Sequence, residues 1–417
     1  MLSKKNILTF LIFIFFTTVI YFLIVKQIIY PTILPMVAKN SINLFSDWTV
    51  ILQANICQEK GFDVFVNNPC DYWGRKHVYG EILLNIPYIK SFPKFYFLIL
   101  PILLNLFFVF TIVKLLTYKN NIKYFSIFVF ILSPPVLLAI ERANIDIVMF
   151  LITVLIAINK NLFVKHILII FATICKIYPI FLSIIFFFEK NIKKIMINLV
   201  VISLLILLIV FFQWDSYSKL FKLKPNLFAD GYGMFNFSFI GALKYINNLS
   251  IYIDNKNYYL LKFIYLFLIG FIPVVLVNFY YFKKLYNDSL TNTIFLENNF
   301  ENKLYILSST IILLCYFLSS SFIYREIFFL GLIPLILIQK KNFNDNNFFT
   351  FYFYLLNFKF LFSSILTYVN QNKFFPNFEP LFIISKYTLD FYIVSIIGLT
   401  FLFYTKNLIR NVYQNKL

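Results

Sequence analysis

Apolar runs long enough to cross a bilayer recur from one end of this sequence to the other. That recurrence constrains the fold more than any motif does. A helical span needs about 20 predominantly apolar residues. Twelve segments qualify or come close: 7–30, 93–117, 124–140, 145–158, 166–176, 178–188, 195–212, 261–281, 304–323, 326–339, 348–366 and 387–404. Only 13% of the 417 residues are charged, against 61% hydrophobic. Soluble domains carry about 25% charged residues, so a water-facing surface cannot be assembled from this chain. The expectation is an all-α polytopic membrane protein, a single integral domain over residues 1–417 with about 12 transmembrane helices.

The segments 166–176 and 178–188 are each too short to span alone. They read as one broken hairpin interrupted at Lys176-Ile177-Tyr178-Pro179, where proline removes a backbone donor. The first segment follows Lys4 and Lys5 and has no small-residue cleavage site after it, so it reads as a retained signal-anchor with the N-terminus in the cytoplasm. Alternation of the spans then places Lys119, Lys123, Lys193, Lys194, Lys283, Lys284, Lys340 and Lys341 on the same inner side, together with the C-terminus. The net charge of +19 is therefore largely topological. Its bases sit in pairs at helix ends and form no single basic face, which excludes a nucleic-acid partner. The expected location is the plasma (inner) membrane, with membrane lipid as the surrounding partner.

Two longer segments, 31–92 and 213–260, face outward in this arrangement and hold most of the glycines. Within the first, residues from Ser46 to Cys57 carry apolar positions at helical spacing, which predicts an amphipathic helix on the membrane surface. Asp47 stands at its start. One reading makes it an N-cap that satisfies free backbone donors. The other makes it a general base held at the bilayer surface, with Asp71 and Asp63 as rivals. Cys57 and Cys70 share this outer loop, where a disulfide is allowed. His77 and His166 fall on opposite sides, and no Cys/His/Asp cluster has metal-ligand spacing, so no metal or other cofactor is expected.

Arginine is the sharper clue. The chain has 33 Lys but four Arg, and three of these lie outward beside acids: Arg75 after Asp71, Arg142 in Glu141-Arg142-Ala143-Asn144-Ile145-Asp146, and Arg325 in Tyr324-Arg325-Glu326. A guanidinium fork binds phosphate or carboxylate at two points, which lysine cannot do. Charge at a membrane boundary is costly and is usually paired or functional. Glu141, Arg142, Asp146, Lys176, Arg325 and Glu326 form the best constellation by that rule, with structural ion pairing as the plainer reading of any single arginine.

Taken together, Asp47 with Gly61-Phe62-Asp63-Val64-Phe65, the run from Glu141 to Asp146, Lys176-Ile177-Tyr178-Pro179, and Tyr324-Arg325-Glu326-Ile327-Phe328 ahead of Pro334 resemble the polytopic GT-C glycosyltransferases. The resemblance is closest to the mannosyltransferase-like proteins of glycosyltransferase family 87, and it covers about residues 40–340. It implies a GT-C-like bundle and a polyprenyl-phosphate-linked sugar donor used on the extracytoplasmic face, with inversion and a glycan or lipid acceptor. It further implies Asp47 as base and Arg325, Lys176 and Arg142 as donor-phosphate ligands, supported by Glu141, Asn144, Asp146, Tyr178, Tyr324, Glu326 and Arg75. The chain carries Tyr79-Gly80-Glu81 and Arg142-Ala143-Asn144 where many relatives have Tyr-Pro-Pro and Gly-Gln-X-Asn.

Three other functions fit a chain of many spans. A transporter or flippase would place its charges near the bilayer midplane between repeat-related halves. A surface-polysaccharide polymerase or ligase would use outward arginines on a polyprenyl pyrophosphate. A purely structural membrane protein accounts for the spans but not for the outward Arg and Gly. From about residue 340 onward no motif is readable.

Overall fold

The computed structural model describes residues 4–25, 44–117, 124–189, 191–222, 237–239, 241–242, 298–318, 323–342, 347–371 and 379–414. Among these the chain is all-helical, with no strand. The expected span 261–281 and most of the second outer segment, 213–260, lie outside the described residues.

Helix α1 is Lys4–Val25, and α2 is Ser46–Glu59. After the outer loop a π-helical turn, Phe95–Ile99, runs into α3, Leu100–Thr117. Helices α4 (Tyr124–Ile131) and α5 (Pro134–Arg142) are two halves of one apolar segment, bent by 46°. The bend falls where Pro134 and Pro135 open α5; proline fits the first turn of a helix but cannot continue one. Helices α6 (Ile145–Ile158) and α7 (Leu162–Cys175) lead to a 3-10 segment, Tyr178–Phe188. Then come α8 (Ile192–Phe212), α9 (Trp214–Lys222) and α10 (Phe300–Leu318). A further 3-10 segment, Ile323–Leu332, is followed by α11 (Ile333–Asn342), α12 (Asn347–Gln371) and α13 (Glu379–Gln414).

The described residues do not confirm the expected count of twelve spans. Among the described residues five helical stretches are long and apolar enough to cross a membrane: Phe95–Thr117, Ile192–Phe212, Phe300–Leu318, Phe348–Thr367 and Phe382–Asn407; the bent α4–α5 pair makes a sixth. Helices α6 and α7 and the segment 178–188 are apolar but shorter. The expected span 326–339 is divided between a 3-10 segment and α11, because an apolar run fixes burial without fixing the helical pitch. The interruption expected at Lys176-Ile177-Tyr178-Pro179 is present: α7 ends at Cys175 and Lys176 takes an extended conformation.

Helix α10 is the hub. It packs on the 3-10 segments 178–188 and 323–332, on α6 and on α13, and most of its side chains are buried. Its approach to the segment 323–332 is close enough that a Cβ on Gly331 would lie 2.0 Å from Ser308 Oγ. Helix α8, by contrast, exposes Met196, Ile197, Val200, Leu204, Leu207 and Leu208. An apolar face left open in this way suits a lipid solvent.

The loop helix α2 differs from its expected form. It does not present one apolar and one wet face; Ser46, Asp47, Trp48, Val50, Ile51, Leu52, Ala54, Asn55 and Cys57 are all buried. Its start is bound to the bundle through Phe45 N–H, which donates to Glu141 O at 2.9 Å, and Trp48 Nε1 donates to Tyr96 O at 2.9 Å. Cys57 and Cys70 form a disulfide that closes the loop behind it, with Cα atoms 5.6 Å apart.

Candidate active site

Asp47 does not cap α2. Phe45, in a left-handed conformation (φ 64°), occupies the N-cap position, and no side chain caps the helix there. The carboxylate turns into the bundle instead. Its Oδ1 accepts from Arg75 Nη1 at 3.2 Å and from Arg142 Nη1 at 3.3 Å, while Oδ2 accepts from Asn144 Nδ2 at 2.7 Å. A carboxylate has about four acceptor positions, so these three donors leave roughly one open. The Asp47 side chain retains 10% of its exposure.

Each donor is aimed by local structure. Arg75 is held by Asp71, whose carboxylate accepts from Trp73 N–H, from Arg75 N–H, and from Arg75 Nε and Nη2, the last two at 3.0 Å. Arg75 Nη2 also donates to Ser46 O, and its guanidinium stacks on Trp73. Asp71 therefore spends its acceptor positions on shaping the 71–75 turn. Asp63 is farther out, bonding Phe65 N–H and pairing with Lys219 of α9 at 2.9 Å.

Arg142 and Asn144 flank Ala143, whose left-handed φ of 44° ends α5. That tight junction swings both neighbours toward Asp47. Asn144 has two tasks, because its Oδ1 also caps α6 by accepting from Asp146 N–H at 2.8 Å. Arg142 lies 3.8 Å from Glu141, and its Nε has no hydrogen-bond partner among the described residues. That buried nitrogen faces the Glu141 carboxylate, while the guanidinium that touches Asp47 keeps 18% exposure.

Asp146 is the second centre. Its Oδ1 accepts from Lys176 Nζ and from Tyr178 Oη, each at 2.5 Å, and Arg325 Nε lies 3.6 Å from its Oδ2. Arg325 also sits over the Tyr178 ring. The α7 break brings these together: Lys176 is the first residue past the helix and Tyr178 opens the next segment. Lys176 retains 11% exposure, whereas Asp146 has none.

Tyr79, which the sequence does not single out for the site, lies between the two centres. The Lys176 ammonium sits over its ring. Burial, together with the charges of Asp47 and Asp146, pushes its phenol well above the ordinary tyrosine value. Its place depends on Gly80, whose N–H donates to Cys175 O at 3.1 Å and whose Cβ, if it had one, would meet Ile174 O at 1.6 Å. Only glycine permits the loop to rest on the end of α7. Next to them, His77 is buried against Gly80 O, and burial lowers its pKa to about 4.

The residues expected to act together thus fall into two groups. Asp47, Arg75, Asp71, Arg142, Glu141 and Asn144 make the first, and Asp146, Lys176, Tyr178 and Arg325 the second; Tyr324 is near enough to both carboxylates to feel their charge. Glu326 is not among them. It points away from this site, toward Lys359.

A helical membrane bundle with carboxylates and guanidiniums gathered at one end of its shorter helices has the build of a polytopic membrane enzyme. The family model for glycosyltransferase family 87 matches residues 86–294, half of the chain. The protein belongs to that family and is a membrane glycosyltransferase. The match takes in Arg142, Asn144, Asp146, Lys176 and Tyr178; Asp47, Arg75 and Arg325 lie outside it. No curated protein and no solved structure gives a significant match.

Proposed function

We propose that this glycosyltransferase moves a sugar from a polyprenyl-phosphate-linked donor to a hydroxyl of a glycan or lipid acceptor, on the extracytoplasmic face of the plasma membrane. The observation that carries this reading is the setting of Asp47. It is a largely buried carboxylate with an acceptor position to spare, its side chain 10% exposed, held against the Arg142 guanidinium, which is 18% exposed.

In the proposed reaction Asp47 takes the proton of the acceptor hydroxyl. The hydroxyl oxygen attacks the anomeric carbon, the bond from that carbon to the phosphate oxygen breaks, and the polyprenyl phosphate leaves with the bonding pair. A single displacement inverts the anomeric centre. The negative charge growing on the phosphate needs fixed positive groups, and Arg142, Lys176 and Arg325 supply them. A lipid phosphate departs readily, so general base and anion cradle are the two parts the chain must provide. Asp146 holds Lys176 and Arg325 in place, Asn144 and Arg75 orient Asp47, and Asp71 orients Arg75 in turn. The Cys57–Cys70 bridge, in the same loop as Asp47, and the lysines that the sequence assigns to the inner side support an outward-facing active site.

A donor panel tests the proposal. Purified protein in lipid nanodiscs is given polyprenyl-phosphate hexoses and nucleotide sugars with an acceptor glycolipid. Consumption of a polyprenyl donor with an inverted product linkage is expected. Transfer from a nucleotide sugar alone would refute the donor class, and a retained configuration would refute the single displacement.

A further inference from the structure

Four ionisable side chains lie fully inside the helical bundle, apart from the candidate active site. Glu326 is on the 3-10 segment 323–332, Lys359 on α12, and Lys386 and Asp390 on α13; none is more than 1% exposed. Lys359 Nζ donates to Glu326 Oε1 at 3.0 Å and also pairs with Asp390. Lys386 Nζ donates to Asp390 Oδ2 at 2.8 Å and lies 3.9 Å from Glu326 Oε1. Lys359 lies in one membrane-span helix, and Lys386 and Asp390 in another.

Such a network is expensive at membrane depth. Buried ion pairs add little to stability over apolar residues of the same size, so their presence calls for another reason. The neighbour of Glu326 provides one. A 3-10 helix turns 120° per residue, so successive side chains leave it in three directions. Arg325 points to Asp146 and Tyr178, and Glu326 points to Lys359. The rotation of this segment about its own axis decides where Arg325 sits, and Glu326 is the residue gripped on its far side.

We propose that Glu326, Lys359, Lys386 and Asp390 are positioning residues. By fixing the segment 323–332 against α12 and α13, they set the guanidinium of Arg325 for the donor phosphate. The claim rests on the phosphate role proposed for Arg325. It predicts a defect in donor use that does not track folding.

The test compares wild type with Glu326→Met/Lys386→Met. The double variant removes one charge of each sign and leaves the Lys359–Asp390 pair, so charge balance is kept while the grip on the segment is lost. The melting temperature should be at or above that of wild type. The donor KM should rise about tenfold, with the acceptor KM within about twofold. Wild-type donor KM in a folded double variant would overturn the proposal. If the double variant does not fold, Lys359→Arg replaces it; this keeps the charge but alters the grip, and the same split in KM is expected. A second readout does not depend on the donor. In an Arg325→Cys background, alkylation by a membrane-impermeant maleimide should change severalfold when Glu326→Met/Lys386→Met is added, and an unchanged rate would overturn the proposal. If wild type uses no polyprenyl donor, the donor reading fails while this labelling still decides the positioning claim.

Discussion

Asn144 Nδ2 donates to Asp47 Oδ2 at 2.7 Å across 97 residues of sequence, while Asn144 Oδ1 caps the helix that carries Asp146. One side chain therefore orients the candidate base and starts the helix that bears the second carboxylate. The two tasks can be separated by substitution.

Asn144→Ser keeps a capping oxygen but has no amide to hold Asp47. It should melt close to wild type and turn over about tenfold slower or worse, within the range that general-base catalysis contributes. Asn144→Ala should lose that rate and also about 1 kcal/mol of stability with the cap. Equal turnover in wild type and Asn144→Ser would remove the asparagine from the positioning of Asp47.

Arg142→Lys addresses the anion cradle. Lysine keeps the charge but cannot touch Asp47 and a phosphate with one planar fork. The donor KM should rise by about tenfold or more, corresponding to roughly 1.4 kcal/mol, while acceptor KM stays near its wild-type value. Isotope-labelled donor titrated at saturating acceptor reads this directly, and an unchanged donor KM removes Arg142 from phosphate binding.

Gly80→Ala tests how the outer loop meets the bundle. The added carbon would sit 1.6 Å from Ile174 O, and that backbone cannot yield without moving Lys176. Overpacking of this kind costs about 1–3 kcal/mol. A lowered melting temperature and reduced turnover are expected together, and a wild-type melt would show that the loop does not rest on α7.

His77 gives a pH dependence. Its folded pKa is about 4, against an ordinary value of 6.5, because burial disfavours the charged ring. The unfolded chain therefore binds the extra proton first. The stability due to His77 is complete above about pH 6.5 and is lost as pH falls through that value toward 4, by about 3 kcal/mol in all. Melting curves over this window should flatten in His77→Phe, and curves parallel to wild type would assign the acid sensitivity to another group.

The sequence makes much of the site legible, for reasons that differ by residue. Arg75, Arg142, Arg325 and Lys176 stand out because charge is rare in so apolar a chain, and Pro179 marks the break that frees Lys176. The contact between Asp47 and Asn144 is not readable, since nothing local distinguishes a helix-start aspartate that caps from one that turns inward. Tyr79 is hidden for a different reason: it is one of 29 tyrosines, and its setting depends on the bare Gly80 backbone. The network of Lys359, Lys386 and Asp390 leaves only a faint mark. Lys386 and Asp390 are spaced like a solvent-exposed helix pair, and only their place inside an apolar run sets them apart. Span count is poorly legible as well, because the run 327–338 has no charged residue yet changes helical pitch.

The central claim is that Asp47 removes the acceptor proton. Its most direct test is the rate of sugar transfer by Asp47→Asn in nanodiscs, with donor and acceptor saturating and donor binding measured in parallel. Asparagine keeps the shape and cannot take the proton. The account predicts a loss of at least about 100-fold in kcat with donor affinity changed little. Transfer at the wild-type rate by a folded Asp47→Asn protein would contradict it.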